Sequence, residues 1–140
     1  MFKGRSARSE GGAVAVEFAL LFPIVFAVMF GVIQYGIYFW GRSTAAASAR
    51  ESARQLAVGT DWTCSRAGAV DKTGHAGKDV VVTRRFVNAT NTAVVGDLVE
   101  VTVTAQSLAP TLLPVPGGGQ ITEVATARIE NIPTSPLGCS

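Results

Sequence analysis

One uninterrupted apolar run dominates the hydrophobic pattern near the N-terminus. Residues 18 to 40 read FALLFPIVFAVMFGVIQYGIYFW, 23 residues in which Gln34 is the only strongly polar side chain. As an α-helix this run extends roughly 34 Å at about 1.5 Å per residue, enough to cross a hydrocarbon core of about 30 Å. Pro23 lies in the first turns, where a missing amide is tolerated. The pattern predicts a membrane-spanning helix, with the lipid bilayer as its surroundings.

The helical pattern continues beyond the apolar run. Residues 43 to 58 read STAAASARESARQLAV, rich in good helix formers, and no Gly or Pro occurs between Gly41 and Gly59. An approximate helical stripe is formed by Ala46, Ala49, Ala53, Leu56 and Ala57. We therefore predict one continuous helix over about residues 13 to 58, with a transmembrane part at 13–41 and an exported continuation at 42–58.

The second half of the chain changes to the period of β-strands. An irregular stretch with four glycines is expected over residues 59–78, followed by β-rich segments at 79–87, 98–105 and 121–130. The middle segment alternates cleanly, with Val99, Val101 and Val103 on one face. The pattern predicts an α+β fold, in which a small antiparallel sheet of about three strands in a β-rich domain, residues 59–140, packs on the upper half of the long helix.

Charge is distributed unevenly along the chain. The net charge is +2, but Lys3, Arg5 and Arg8 all precede the apolar run, and Glu10 follows them. Without these four residues, the 12 basic and 10 acidic side chains become nine of each. The remainder therefore lacks the basic footprint of a nucleic-acid-binding protein. The basic segment before the run favours a cytoplasmic N-terminus and an exported, periplasmic C-terminal part.

A glycine pair stands in front of the apolar run. Gly12 is followed by four small or apolar residues, then by Glu17 and Phe18. This arrangement resembles the prepilin peptidase site of type IV pilin relatives, particularly the Flp and TadE-like branch. The resemblance implies cleavage after the glycine, with the glutamate as fifth residue of the mature chain. Gly11 is the alternative glycine, but only Gly12 gives that offset, so we predict cleavage between Gly12 and Ala13 and a basic leader at residues 1–12.

The chemistry of such a cut explains the spacing. Cleavage creates an α-amino group on Ala13, whose reference pKa of about 7.7 to 8.0 keeps it largely protonated at neutral pH. On a helix, Ala13 and Glu17 lie four residues apart and share a face. We expect Glu17 to neutralise this amine or, as the resemblance implies, that of a neighbouring subunit, so that Glu17 and Phe18 set the register between subunits. Alternatively, Glu17 only complements the helix dipole, worth about 0.3 to 1 kcal/mol.

The resemblance covers about residues 11 to 36 and is looser in the β-rich part, at GDLVEVTVTA. It points to the TadE-like pseudopilins of tight-adherence pilus systems, since major Flp pilins have little beyond the hydrophobic helix. The resemblance therefore implies a minor pseudopilin of the bacterial inner membrane, either entering an extracellular pilus or remaining at the membrane. The implied partners are a prepilin peptidase, other pilins and pseudopilins, and the inner-membrane pilus assembly platform.

The two cysteines, Cys64 and Cys139, lack the spacing of a metal or redox motif. In an oxidising exported compartment they are candidates for a disulfide that joins the segment after the helix to the C-terminal tail. Such a bond would stabilise the domain by a few kcal/mol. Two free thiols are the alternative.

No set of residues suggests catalysis, a metal site or a bound cofactor. The single histidine, His75, is expected in a solvated loop, and Arg84 and Arg85 are expected as exposed charge, with an acidic partner as the alternative. The glycines at 117–119 lack the Lys-Ser/Thr of a phosphate-binding loop. The sequon at 88–90 carries little meaning in a bacterial protein of this kind.

Two other functions remain open. The first is an uncleaved, single-pass anchor carrying a periplasmic scaffold or receptor domain. The second is a secreted hydrolase released by signal peptidase among the small residues at 47–49. An ordinary signal peptide has an apolar region of about 7 to 15 residues, much shorter than this run, and the missing catalytic residues count against a hydrolase.

Overall fold

The computed structural model describes residues 10–88, 90–109, 113–133 and 139. Most of the predicted leader lies outside these residues. The chain divides into two units, residues 1–33 and residues 34–140, which are described separately. The elements are helices α1 (Glu10–Ala57) and α2 (Trp62–Gly74), strands β1 (Gly77–Phe86), β2 (Leu98–Ser107) and β3 (Gln120–Arg128), and a 3-10 helix at Pro116–Gly119.

Helix α1 is continuous over 48 residues and remains helical through Pro23. Its beginning and end lie close to the predicted limits of about residues 13 and 58. In the second unit, α1 buries a stripe of mostly small side chains, with Ala45, Ala49 and Ala53 almost fully excluded from solvent. Ala46, which the sequence placed in this stripe, is only half-buried, and Ala45 takes its place in the core. Small side chains permit a close approach of helix and sheet.

The three strands form one antiparallel sheet in the order β1, β2, β3. The central strand β2 buries Val99, Val101 and Val103, as its alternating pattern predicted. These valines pack in one cluster with the buried face of α1 and with Ile121 of β3. The α+β class and the sheet packed against the long helix are thus confirmed.

A close contact between α1 and the sheet lies at Gly41. A Cβ atom added there would lie 2.9 Å from the carbonyl oxygen of Ala76 and 3.0 Å from Cδ1 of Ile121. Real Cβ atoms hardly ever come so near backbone atoms. Gly41 therefore lets the helix backbone approach the start of β1 and the core side of β3.

The prediction of an irregular stretch over residues 59–78 is wrong, because residues 62–74 form α2. Asp61 caps this helix by accepting a hydrogen bond from the backbone N–H of Thr63, at 2.8 Å. Three small or polar side chains, Ser65, Ala69 and Thr73, are buried at i, i+4 and i+8. The glycines in this stretch have a low helix propensity. The Asp61 cap and the burial of one helix face stabilise the helix enough to outweigh that propensity.

Candidate functional site

The predicted cleavage site lies on the first turns of α1. Gly12, Ala13, Glu17 and Phe18 all belong to this helix, and residues 12–30 are exposed. Ala13 and Glu17 lie one turn apart, about 6 Å along the axis. A Cβ added at Gly12 would meet nothing within 4 Å. The Gly12–Ala13 bond and the Glu17 carboxylate are therefore on one accessible helical segment, and their roles stay predictions.

Apart from Glu17, residues 12–33 of α1 are apolar or glycine, and nearly all of them are exposed. An 18-residue window of α1 reaches a mean hydropathy of 2.5, and none of that window is buried. The helix is long and apolar enough to cross a membrane. It fits a single-pass membrane anchor, as the pattern of the sequence predicted.

A ladder of phenylalanines runs along this anchor. Phe18, Phe22, Phe26 and Phe30 follow one another at intervals of four residues, with neighbouring ring centroids 5.8, 4.8 and 5.2 Å apart. Tilted rings at such distances attract each other. The sequence analysis missed this ladder, although its signal, Phe at every fourth position, is present in the sequence. The ladder begins directly after Glu17 and gives one side of the anchor an aromatic ridge.

The polar residue of the apolar run, Gln34, belongs to the folded domain. It is 1% exposed, and its Nε2 donates to the carbonyl oxygen of Leu113 at 2.5 Å. The backbone N–H of Leu113 in turn donates to Oε1 of Gln34 at 3.0 Å. Next to it, the hydroxyl of Tyr35 donates to the carbonyl oxygen of Pro114 at 2.7 Å. Domain contacts therefore begin at residue 34, earlier than the exported part predicted from residue 42.

An ion pair joins α1 to the edge strand β3. Nε of Arg42 donates to Oε1 of Glu123 at 2.6 Å, and both hydrogen bonding and the charge of Glu123 raise the pKa of Arg42. The Arg42 side chain is more than half exposed, so solvent screens much of this attraction. The pair orients the helix and the strand more than it stabilises them.

A pocket of about 190 Å³ lies near the end of β1, beside the start of α2. The Arg84 guanidinium carbon lies 5.0 Å from the ring centroid of Trp62 and 5.3 Å from that of Phe86, within range of cation–π attraction. Burial here lowers the pKa of Arg84, although the nearby charge of Asp61 acts in the opposite direction. Arg84 was expected as exposed charge, with an acidic partner as the alternative, and its contact with the two aromatic rings was not predicted.

The remaining residues singled out in the sequence have ordinary surroundings. Arg85 pairs with Glu100 across the outer face of the sheet at 3.1 Å. His75 is exposed at the end of α2, with Nδ1 2.8 Å from the carbonyl oxygen of Asp71. The glycines at 117–119 form the 3-10 helix and have positive φ angles. Residue 89, the middle of the sequon, lies outside the described residues.

Cys64 and Cys139 are joined in a disulfide, with their Cα atoms 5.2 Å apart and a sequence separation of 75. Cys64 lies in the first turn of α2, two residues after Trp62. Among the described residues, no group of three His, Cys, Asp or Glu side chains is arranged to hold a metal ion.

The small residues at 47–49, considered above for signal-peptidase release, lie inside α1. Ser48 and Ala49 are buried against the rest of the domain. Cutting there would separate the buried residues Gln34, Tyr38 and Ala45 from the rest of the domain core. The secreted hydrolase is therefore disfavoured by the fold as well as by the sequence.

Comparison with known protein families gives one match. The family described as "TadE-like protein" matches residues 12–54, which is 43 of the 140 residues. The matched segment begins at Gly12 and contains the glutamate motif, the apolar run and residues 42–54 of α1. No curated protein and no solved structure matches the chain. The resemblance to TadE-like proteins is thereby confirmed over this segment.

Proposed function

We propose that this TadE-like chain is a minor pseudopilin, matured by a prepilin peptidase, that acts in assembly or secretion of a tight-adherence (Flp-type) pilus. One observation carries the proposal: the family match begins at Gly12, the residue at which cleavage was placed, and includes Glu17 at its required offset. The role is structural and not catalytic. The protein would be inserted in the bacterial inner membrane, with a cytoplasmic N-terminus and a periplasmic domain.

The mechanism begins with removal of the leader. The peptidase needs an accessible bond in the cytoplasmic margin of the membrane, and the exposed Gly12–Ala13 bond meets that need. The new amine on Ala13 is cationic at neutral pH. It lies one helical turn from Glu17, and the same carboxylate can reach the amine of an adjacent subunit when two such helices pack side by side. A charge pair in apolar surroundings penalises every register that separates the two charges.

Helix packing would then hold the subunit in a pilin assembly. Within lipid, association of helices depends on complementary surfaces, since apolar side chains gain little by leaving lipid for one another. The ridge of Phe18, Phe22, Phe26 and Phe30 offers such a surface. The domain of residues 34–140 sets this chain apart from a main shaft subunit that is little more than a helix. It would contact neighbouring pseudopilins or the assembly platform.

Replacing Gly12 by valine tests the processing step. The site has open space around it, so Gly12→Val leaves the helix intact while placing a branched side chain beside the scissile bond. We expect intact-mass spectrometry of membrane-extracted protein to give a chain beginning at Ala13 for the wild type and at Met1 for the variant. Gly36→Val is the matched control, because Gly36 lies on the same helix, also in open space, and far from the cut.

The alternative function is an uncleaved anchor that presents a periplasmic scaffold or receptor domain. It predicts that wild type and Gly12→Val have equal mass and equal activity in cells that contain a working peptidase. A wild-type chain that keeps Met1 under those conditions would sink the processing proposal. Gly11→Val distinguishes the two glycines, since cleavage after Gly12 should proceed more readily in Gly11→Val than in Gly12→Val.

A further inference from the structure

The lipid-exposed part of α1 ends where the domain begins. Side chains are exposed from residue 12 to Ile33, except for the half-buried Gly31, and Gln34 is the first buried residue. From Ala13 to Ile33 there are 21 residues. Their length at about 1.5 Å per residue is about 32 Å, close to the roughly 30 Å of a hydrocarbon core. The exposed apolar segment is therefore about as long as the hydrocarbon core is thick, and the first domain contact, at Gln34, follows directly after it.

That first contact is made by the β2–β3 loop, of which Leu108, Ala109 and residues 113–116 are described. Gln34 exchanges two hydrogen bonds with the backbone of Leu113, and Tyr35 donates to the carbonyl of Pro114. The loop is thus fixed on the first turn of α1 beyond the exposed apolar segment. Backbone groups that enter a membrane boundary need such partners, because lipid supplies none.

The chemistry of the loop suits a lipid boundary. No Asp, Glu, Lys or Arg occurs between Glu100 and Glu123. Leu108, Pro114 and Pro116 are exposed, so the described part of the loop presents apolar side chains. At the same end of the sheet, exposed Lys78 of β1 lies opposite Gln106, and a lysine is compatible with the polar headgroup layer of a membrane. On α1, about one turn beyond Gln34 and Tyr35, Phe39 and Trp40 are 57% and 52% exposed. Tryptophan, the residue type of Trp40, is enriched at membrane interfaces.

We propose that the described part of the β2–β3 loop, Leu108, Ala109 and residues 113–116, is a membrane-contact surface, which rests in the interfacial layer of the same bilayer that α1 spans. The occupant is lipid because Gln34 and Tyr35, which hold this part of the loop, directly follow in sequence the apolar segment that is long enough to span a bilayer. The inference rests on the membrane anchor of the proposed function. Contact of the loop with the membrane restrains the domain at a fixed depth, and extraction of the subunit into a pilus would lift the loop off the bilayer.

Single-tryptophan variants of the full chain test this proposal. In a background of Trp40→Phe and Trp62→Phe, one tryptophan is placed by Leu108→Trp in the loop or by Leu98→Trp at the other end of β2. The two leucines are matched, being 38% and 40% exposed. They are ten residues apart, about 33 Å along a strand. A third variant, Phe26→Trp, reports on insertion of the anchor itself.

The readout is fluorescence quenching in vesicles of phosphatidylcholine and phosphatidylglycerol with brominated acyl chains. We expect strong loss of emission for Phe26→Trp, a clear loss for Leu108→Trp and no loss for Leu98→Trp. Circular dichroism checks that each variant keeps its fold, which the exposure of both leucines favours.

Three results overturn the proposal. If Leu108→Trp is quenched no more than Leu98→Trp while Phe26→Trp is quenched, the loop is not at the membrane although the anchor is inserted. If Leu108→Trp is shielded both from brominated lipid and from aqueous acrylamide, a second copy of the chain covers the loop. If Phe26→Trp is also unquenched, the apolar helix is not inserted in the bilayer. The membrane anchor and the inference that rests on it are then both wrong.

Discussion

Gln34 shows how a single polar side chain can mark the boundary between an anchor and a domain. Replacing it by leucine keeps its approximate volume but leaves the N–H and C=O of Leu113 without their partner. An unsatisfied buried polar group costs about 1 to 3 kcal/mol, so we expect Gln34→Leu to destabilise the domain by about that amount. Amide exchange in the peptide containing Leu113 should accelerate, as measured by mass spectrometry on the full chain in micelles.

Tyr35→Phe is the control for this change. Its hydroxyl bond to Pro114 is exposed, so water replaces the lost partner and the expected cost is below about 1 kcal/mol. Similar exchange in Gln34→Leu and in the wild type would show that the paired hydrogen bonds do not hold the loop.

The two helices of the domain meet at small hydroxyl side chains. The hydroxyl of Ser52 on α1 donates to the carbonyl of Ser65 on α2, and the hydroxyl of Ser65 donates to the carbonyl of Ser52, both at 3.3 Å. One turn earlier, buried Ser48 has no hydrogen-bond partner for its hydroxyl among the residues that the structure describes. The two serines share a face of α1, but only the Ser52 hydroxyl has a hydrogen-bond partner among the described residues.

This difference predicts opposite effects of the same substitution. Ser52→Ala should destabilise the domain by about 1 kcal/mol, because a buried hydrogen bond is lost. Ser48→Ala should be neutral or stabilising by up to about 1 kcal/mol, since it removes an unpaired buried hydroxyl and adds a better helix former. Denaturant midpoints of the two full-length variants measure both effects. Equal destabilisation by the two substitutions would contradict this account of the interface.

Elements with a strong internal signal were predictable from the sequence. Strand β2 alternates valine with polar residues, and α1 has no Gly or Pro from residue 42 to its end. The periodicity of β2 and the composition of α1 therefore predicted these elements. Helix α2 depends on the Asp61 cap and on burial of Ser65, Ala69 and Thr73, and burial against distant elements leaves no periodic signal in so short a stretch. Propensity gave the wrong result there because tertiary contacts prevailed.

The candidate site likewise contains features that were predictable from local sequence and features that were not. The spacing of Gly12 and Glu17 is local and could be interpreted directly from the sequence. The partner of Gln34 lies 79 residues away, and the stacking of Arg84 on Trp62 joins two different elements. Contacts of that kind depend on the complete fold and cannot be derived from local sequence.

At the scale of the whole molecule, the disulfide joins α2 to the tail that follows β3 and closes the domain on itself. The bond between Cys64 and Cys139 also bears on orientation, because disulfides persist in the periplasm and are reduced in the cytoplasm. The basic residues before the apolar run independently favour a cytoplasmic N-terminus. A domain on the oxidising side and a leader on the reducing side are consistent with one membrane crossing between them.

Removing both sulfur atoms provides the corresponding test. For a separation of 75 residues, the chain-entropy treatment gives a loss of about 4 kcal/mol in the free energy of unfolding for the double variant Cys64→Ser, Cys139→Ser. The emission of Trp62, which lies two residues from Cys64, should follow the denaturant transition of the full chain in micelles. Reductant should lower the wild-type midpoint to that of the double variant and leave the variant unchanged. A wild-type midpoint insensitive to reductant, together with alkylation of both thiols in protein taken directly from cells, would refute both the pairing and the exported position of the domain.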